Sequence, residues 1–281
     1  MHILSIQSWV AYGHVGNASA MFPLQRLGAE VWAVHTVQLS NHLGYGTVRG
    51  DVFPARLIRD CVQGIEERGA LARCDAVLSG YVGDAETGEA ILHAATRAKA
   101  ANPRALWCCD PVIGDEGRVY VRDGIPEFFR DRALPAADIL TPNQFELEWL
   151  AGGPIATLSQ AKAAVTRLQA CGPQCVVVTS LRTVETPADA LDMLAAEGGA
   201  AWRLRTPLLP LRINGAGDAI AALFLYHRQA TGSARLALER AASAIHGVLR
   251  ATEAAGSREL LLVAAQQEIV TPTLGFVAEA C

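Results

Sequence analysis

The chain has 281 residues and a formal net charge of −4, with 51% hydrophobic and 19% charged residues. That apolar fraction can fill the core of one large α/β domain over 1–281 and excludes wholesale disorder. The mild acidity, with Lys99 and Lys162 the only lysines, leaves no basic stripe for nucleic acid, and no apolar run is long enough for a bilayer. The opening His2-Ile3-Leu4-Ser5-Ile6 reads as a strand rather than a signal peptide, so a cytoplasmic protein is expected.

The chain reads as strand, turn and helix, repeated. Residues 3–6 predict a strand, followed by a glycine-containing loop and a helix over about 17–27 that Gly28 stops. A strand over 31–37 precedes a helix that Pro54 opens and that runs to about 68. A buried strand at 75–78 leads through Ser79-Gly80-Tyr81-Val82-Gly83 into a helix over about 86–101. The apolar stretch 105–109 is again a strand, ending at Asp110-Pro111, and would send Cys108 and Cys109 to opposite faces. A short strand at 139–140 precedes Thr141-Pro142-Asn143, with helices around 144–151 and 158–170. Residues 175–178 form a further strand, 191–194 and 201–204 pair antiparallel, and helices cover about 217–229, 234–255 and 259–269. Short apolar strands alternating with amphipathic helices predict a mostly parallel sheet covered on both faces, with ligands beyond the carboxyl ends of the strands.

The polar residues that follow each strand are therefore the candidates. Asn214-Gly215-Ala216-Gly217-Asp218 opens a helix of small residues, an arrangement that lets backbone N–H groups converge on an anion. Asp218 would repel a phosphate, so it reads either as an ordinary first-turn residue or as a base for a hydroxyl attacking a phosphoryl group. Asp110 and Glu146 follow neighbouring strands and could share a hydrated Mg²⁺. Glu146 stands three residues after Asn143, which is equally the spacing of a capping box. The hydroxyls of Thr179 and Ser180 either meet phosphates or merely end a strand.

There is no Walker P-loop, no dinucleotide fingerprint, no Gly-x-Ser-x-Gly elbow and no His-Glu-x-x-His. The seven cysteines include no Cys-x-x-Cys and read as reduced thiols, with a Cys171–Cys175 disulfide or half metal site as the alternative. The five tryptophans read as core residues.

Together these clusters resemble the ribokinase superfamily, and the pyridoxal kinase branch in particular, over nearly the whole chain. The resemblance rests on Ser5-Ile6-Gln7-Ser8, Tyr12-Gly13-His14-Val15-Gly16-Asn17, Phe22-Pro23-Leu24 and Thr36-Val37-Gln38-Leu39-Ser40-Asn41-His42. Ser79-Gly80-Tyr81-Val82-Gly83, Asp110-Pro111-Val112, Thr141-Pro142-Asn143-Gln144-Phe145-Glu146 and Gly215-Ala216-Gly217-Asp218 complete it. It implies a ribokinase-like three-layer α/β fold, usually dimeric, and ATP-dependent phosphorylation of the 5′-hydroxymethyl of pyridoxal or its vitamers.

The resemblance also implies roles. Asp218 would be the base, and the amides of Gly215, Ala216 and Gly217 would hold the transferring phosphoryl group. Asp110 and Glu146 would organise Mg²⁺ around ATP, with Thr141, Asn143, Thr179 and Ser180 near the phosphates and an activating K⁺. Tyr120 would lie in a segment folding over the ligands, Ser8 would bond the pyridine ring, and His42, Leu43 and Tyr81 would line its pocket. The chain departs from the branch at Trp9 (commonly His), Leu39 (often Phe) and Leu43 (usually Thr), all in stretches expected to face the substrate. A hydroxymethylpyrimidine kinase is the nearest rival, and a non-catalytic binder of pyridoxal phosphate or nucleotide is a rival of another kind.

Overall fold

The computed structural model describes every residue from Met1 to Cys281. Its strands are β1 (His2–Val10), β2 (Glu30–Leu39), β3 (Gly50–Val52), β4 (Ala76–Ser79), β5 (Leu106–Cys109), β6 (Gly114–Asp115), β7 (Arg118–Val119), β8 (Ile139–Leu140), β9 (Cys175–Leu181), β10 (Ala190–Glu197), β11 (Ala200–Pro207) and β12 (Glu279–Ala280). The α-helices are α1 (Asn17–Arg26), α2 (Ala55–Glu67), α3 (Ala85–Ala101), α4 (Ile125–Phe128), α5 (Gln144–Ala151), α6 (Leu158–Cys171), α7 (Ala216–Thr231), α8 (Ala234–Ala254) and α9 (Gln266–Val270). No helix is long and apolar enough to cross a membrane.

Ten strands form one sheet in the order β12-β11-β10-β9-β8-β5-β4-β1-β2-β3. The six from β9 to β2 run parallel, and antiparallel pairs extend the sheet at both ends. The parallel strands are apolar on both faces because each face is covered. Leu4, Ile6, Val77, Trp107, Cys109, Val176 and Val178 join the core shared with α2, α3, α5 and α6. Their neighbours Ile3, Ala76, Leu78, Cys108, Cys175 and Val177 join the core under α1, α7, α8 and α9. Cys108 and Cys109 thus face opposite layers, as the period of two requires. All seven cysteines are free. At the β10–β11 turn, Gly198 and Gly199 have φ of 59° and 81°, the left-handed pair that a two-residue hairpin demands.

Three expectations need correction. The helix expected over 259–269 is confined to α9, because the hydroxyls of Ser257 and Thr252 take the backbone N–H groups of Glu259 and Leu261. Leu260 and Leu262 are buried by this irregular segment instead. Thr179 and Ser180 do not follow a strand: β9 continues to Leu181, where β10 pairs with it. Of the five tryptophans, only Trp107 is fully buried; the others are half-buried.

Candidate active site

The parallel strands all point their carboxyl ends to one edge, and residues that line a single cavity lie along it in strand order. Leu191 and Met193 come from β10, Thr179 and Ser180 from β9, Thr141 and Asn143 from the end of β8, and Asp110 from the end of β5. Tyr81 follows β4, Ser8 and Val10 stand on β1, and Leu39 ends β2. All of them line one cavity of about 620 Å³, together with His42, Leu43, Tyr120, Glu146 and the Gly215–Asp218 turn. Its size suits a small-molecule site. β1 outruns β4, whose pairing stops at Ile6–Ser79, so the last residues of β1 border open space. A bulge in β2 opposite Ser8 shifts the register there. Ser8 and Val10 then face the cavity, whereas Trp9 does not line it and packs against His35, with ring centroids 4.9 Å apart. Of the three departures, only Leu39 and Leu43 line the cavity.

Helix α7 enters the middle of this row. Gly215 caps it with φ 85°, and a Cβ there would run into the carbonyl of His14. The N–H groups of Ala216 and Gly217 precede the first helical hydrogen bond, Ala219 N to Gly215 O, and are free for an anion. The space beside the Gly217 Cα is open, with no atom within 4 Å of where a Cβ would stand, so a ligand can approach the backbone. Asp218 is the third residue of the helix. Burial in the cleft raises its carboxyl to about 6, against the opposing pull of the Gly16 amide and its own.

Two further carboxylates are buried beside it. Asp110 accepts a 2.8 Å bond from Thr141 Oγ1 and is raised to about 8, first by burial and then by the charge of Asp218. Glu146 is raised by burial and by Asp110. The capping box is present: Asn143 Oδ1 accepts from Glu146 N, and Glu146 Oε2 from Asn143 N, both at 2.9 Å. Glu146 Oε1 also accepts from Ile113 N at 2.9 Å, tying α5 to the β6–β7 hairpin, and Asn143 Nδ2 donates to Gly114 O. That hairpin carries Tyr120 at its exit, 49% exposed over the cleft.

Asp218 raises Asp110 and Asp110 raises Glu146, and carboxylates crowded in this way suit a divalent cation. The donor set fits Mg²⁺ in one way. Asp110 can offer an oxygen directly, whereas Glu146, its oxygens already receiving three backbone N–H groups, can act through water. No three acidic, His or Cys groups converge closely enough to enclose a bare metal, so the arrangement suits a hydrated ion that shares phosphate oxygens.

One group at the site carries no local sequence signal. Glu259, in the α8–α9 connection, reaches the substrate-side wall and accepts from His42 Nε2, Tyr45 Oη and the His14 amide. Burial pushes its carboxyl up, but these hydrogen bonds prevail and hold it below the usual glutamate range.

Comparison with known proteins places the chain among relatives. Residues 34–261 match the family model described as phosphomethylpyrimidine kinase. The chain is 62% identical to pyridoxal kinase PdxY of Granulibacter bethesdensis, covering 100% of both, and 55% identical to that of Rubrobacter xylanophilus, covering 98% and 96%. It is also similar to the solved structure of a Leishmania donovani pyridoxal kinase in complex with ADP and pyridoxamine. That similarity has a TM-score of 0.92 and 29% identity, covering 100% of this chain and 99% of the other.

Proposed function

The chain belongs to the pyridoxal kinase family, and we propose that its cleft transfers the terminal phosphoryl group of ATP to the 5′-hydroxymethyl of pyridoxal, with pyridoxine and pyridoxamine as further acceptors. The observation that carries this reading is the order of residues along the sheet edge. Hydroxyls and an apolar slot lie at the β9–β10 end and a pocket lined by Ser8, His42, Tyr81, Leu39 and Leu43 at the β1–β2 end, with Asp218 and the α7 amides entering between them. ATP at the first end and the acceptor at the second would meet at Asp218.

Asp218 takes the proton of the acceptor hydroxyl as its oxygen bonds to the γ-phosphorus and ADP leaves. The amides of Gly215, Ala216 and Gly217 receive the phosphoryl oxygens as charge spreads over them. Asp110 and Glu146 would hold Mg²⁺, which would neutralise phosphate charge when bound. Thr141 orients Asp110, and Asn143 fixes the hairpin that brings Tyr120 over the ligands. Thr179 and Ser180 offer hydroxyls to the phosphates and to an activating K⁺. Ser8 bonds the ring nitrogen, and His42, Leu43 and Tyr81 enclose the ring. We extend the reading to a single kinase domain over 1–281, working as a homodimer in the cytoplasm; the family resemblance supports these points.

Ser8→Ala tests the acceptor end alone. One lost hydrogen bond is worth about 0.5–1.5 kcal/mol, so kcat/KM for pyridoxal should fall about threefold to tenfold while KM for ATP stays put. Unchanged use of pyridoxal, or an equal loss for ATP, would contradict the placement of the ring beside Ser8.

A further inference from the structure

Glu259 ties together two separate walls of the acceptor end. Its Oε2 accepts from the His14 amide at 3.0 Å, holding the loop between β1 and α1. Its Oε1 accepts from Tyr45 Oη at 2.6 Å and meets His42 Nε2 at 2.9 Å, holding the turn that carries Leu43 and Gly44. Gly13 lies so close that any side chain there would collide with this carboxylate. The glutamate is itself fixed, between a Ser257 hydroxyl that bonds its backbone and the buried Leu260. Arg258 lies over the Tyr45 ring, 4.8 Å from its centroid.

An ionised carboxylate only accepts hydrogen bonds, so His42 must present a proton on Nε2. Its other nitrogen, Nδ1, is buried and has no partner in the chain. At Gly44, which also lines the cavity, a Cβ would stand 2.9 Å from His42 Nδ1 and 2.7 Å from Asn214 Nδ2. Only glycine fits there, and both nitrogens belong to side chains of residues that line the cavity. A buried polar atom left without a partner is costly, and a ligand group can supply the missing bond.

We propose that Glu259 is a positioning residue for the acceptor: by taking the Nε2 proton of His42 it keeps the lone pair on Nδ1, which then receives a hydroxyl or amine hydrogen carried by the acceptor ring. The inference rests on the reading of the acceptor as a hydroxylated pyridine. The clamp acts on ring binding and makes no direct hydrogen bond to the phosphoryl-transfer groups, so its loss weighs on KM for the acceptor more than on kcat.

Nitrogen-15 spectra of histidine-labelled wild-type protein, followed on the alkaline side of neutrality, read the tautomer directly and need no variant. The expected result is a proton on Nε2 of His42 and none on Nδ1, a pattern lost in Glu259→Gln. Kinetically, Glu259→Gln should raise KM for the vitamer about threefold to tenfold, the range of one neutral hydrogen bond, with KM for ATP and kcat changed less than about twofold. In a His42→Ala background the same substitution should add nothing, which distinguishes the clamp from general loosening of the loop. A proton on Nδ1 in the wild type, or an equal effect of Glu259→Gln with and without His42, would overturn the proposal. Failure of the wild type to phosphorylate any vitamer would instead overturn the reaction assigned above, and the spectrum would still decide the tautomer.

Discussion

Asp218→Asn lowers kcat by about 10²–10⁴-fold, the usual contribution of a general base, with KM for ATP unchanged or improved. The asparagine keeps the shape and can still accept from the Gly16 amide, so the loss reports basicity. The pH profile adds a second check. Burial raises the Asp218 carboxyl to about 6, so it is charged at neutral pH and becomes protonated below that value. The rate should therefore fall on the acid side with a midpoint near 6, and the limb should vanish in the variant. Near-normal turnover by Asp218→Asn, measured with saturating ATP and pyridoxal, would contradict its role.

Asp110→Asn should trade activity for stability. In the ligand-free protein the Asp110 carboxyl is raised to about 8 by burial and by Asp218, from a reference of 3.8. The folded state thus holds a proton that the unfolded chain gives up. The stability tied to that proton is fully present below 3.8 and is lost as pH rises toward about 8. An uncharged amide removes this dependence. The variant should melt higher than the wild type by on the order of several degrees at about pH 8, with the gain shrinking as pH falls toward about 4. Its kcat should drop by about 10²-fold or more if Asp110 organises the cation, because metal stabilisation of phosphoryl charge amounts to several kcal/mol. Mg²⁺ with ATP should raise the melting temperature of the wild type more than that of the variant. Calorimetry and a Mg²⁺ titration of activity check both halves; a variant less stable at about pH 8 with an unshifted Mg²⁺ requirement would refute the account of Asp110.

The legible part of the site consists of residues that follow strands. Parallel strands deliver their carboxyl ends to one edge, so local pattern alone places Asp110 and Thr141, the glycines place the Gly215–Asp218 turn, and Tyr81 enters through the family resemblance. The Glu146 capping box is equally legible, because both partners lie within one helical turn. Glu259 is not: its partners His42 and His14 are 217 and 245 residues away, and no local rule links them. The run Leu260-Leu261-Leu262-Val263 reads as helical by apolarity, whereas hydroxyl bonds from Ser257 and Thr252 bend it into an irregular segment that brings Glu259 to the cleft. The β6–β7 hairpin also escapes a sequence reading. Its Gly114–Val119 pairing is only two residues long on each side and leans on Glu146 and Asn143 rather than on its own strand propensity. The sequence neighbours of Trp9 place it near the ligand, but strand alternation turns it toward His35.

The most direct measurement of the central claim is an acceptor screen with purified protein, ATP and Mg²⁺, with the phosphorylated product identified by mass. Pyridoxal, pyridoxine, pyridoxamine and hydroxymethylpyrimidine would be compared by kcat/KM. The account predicts phosphorylation on the 5′-hydroxymethyl and a higher kcat/KM for pyridoxal or another vitamer than for hydroxymethylpyrimidine. Turnover of hydroxymethylpyrimidine far above every vitamer, or binding of pyridoxal with no ATP-dependent product, would contradict it.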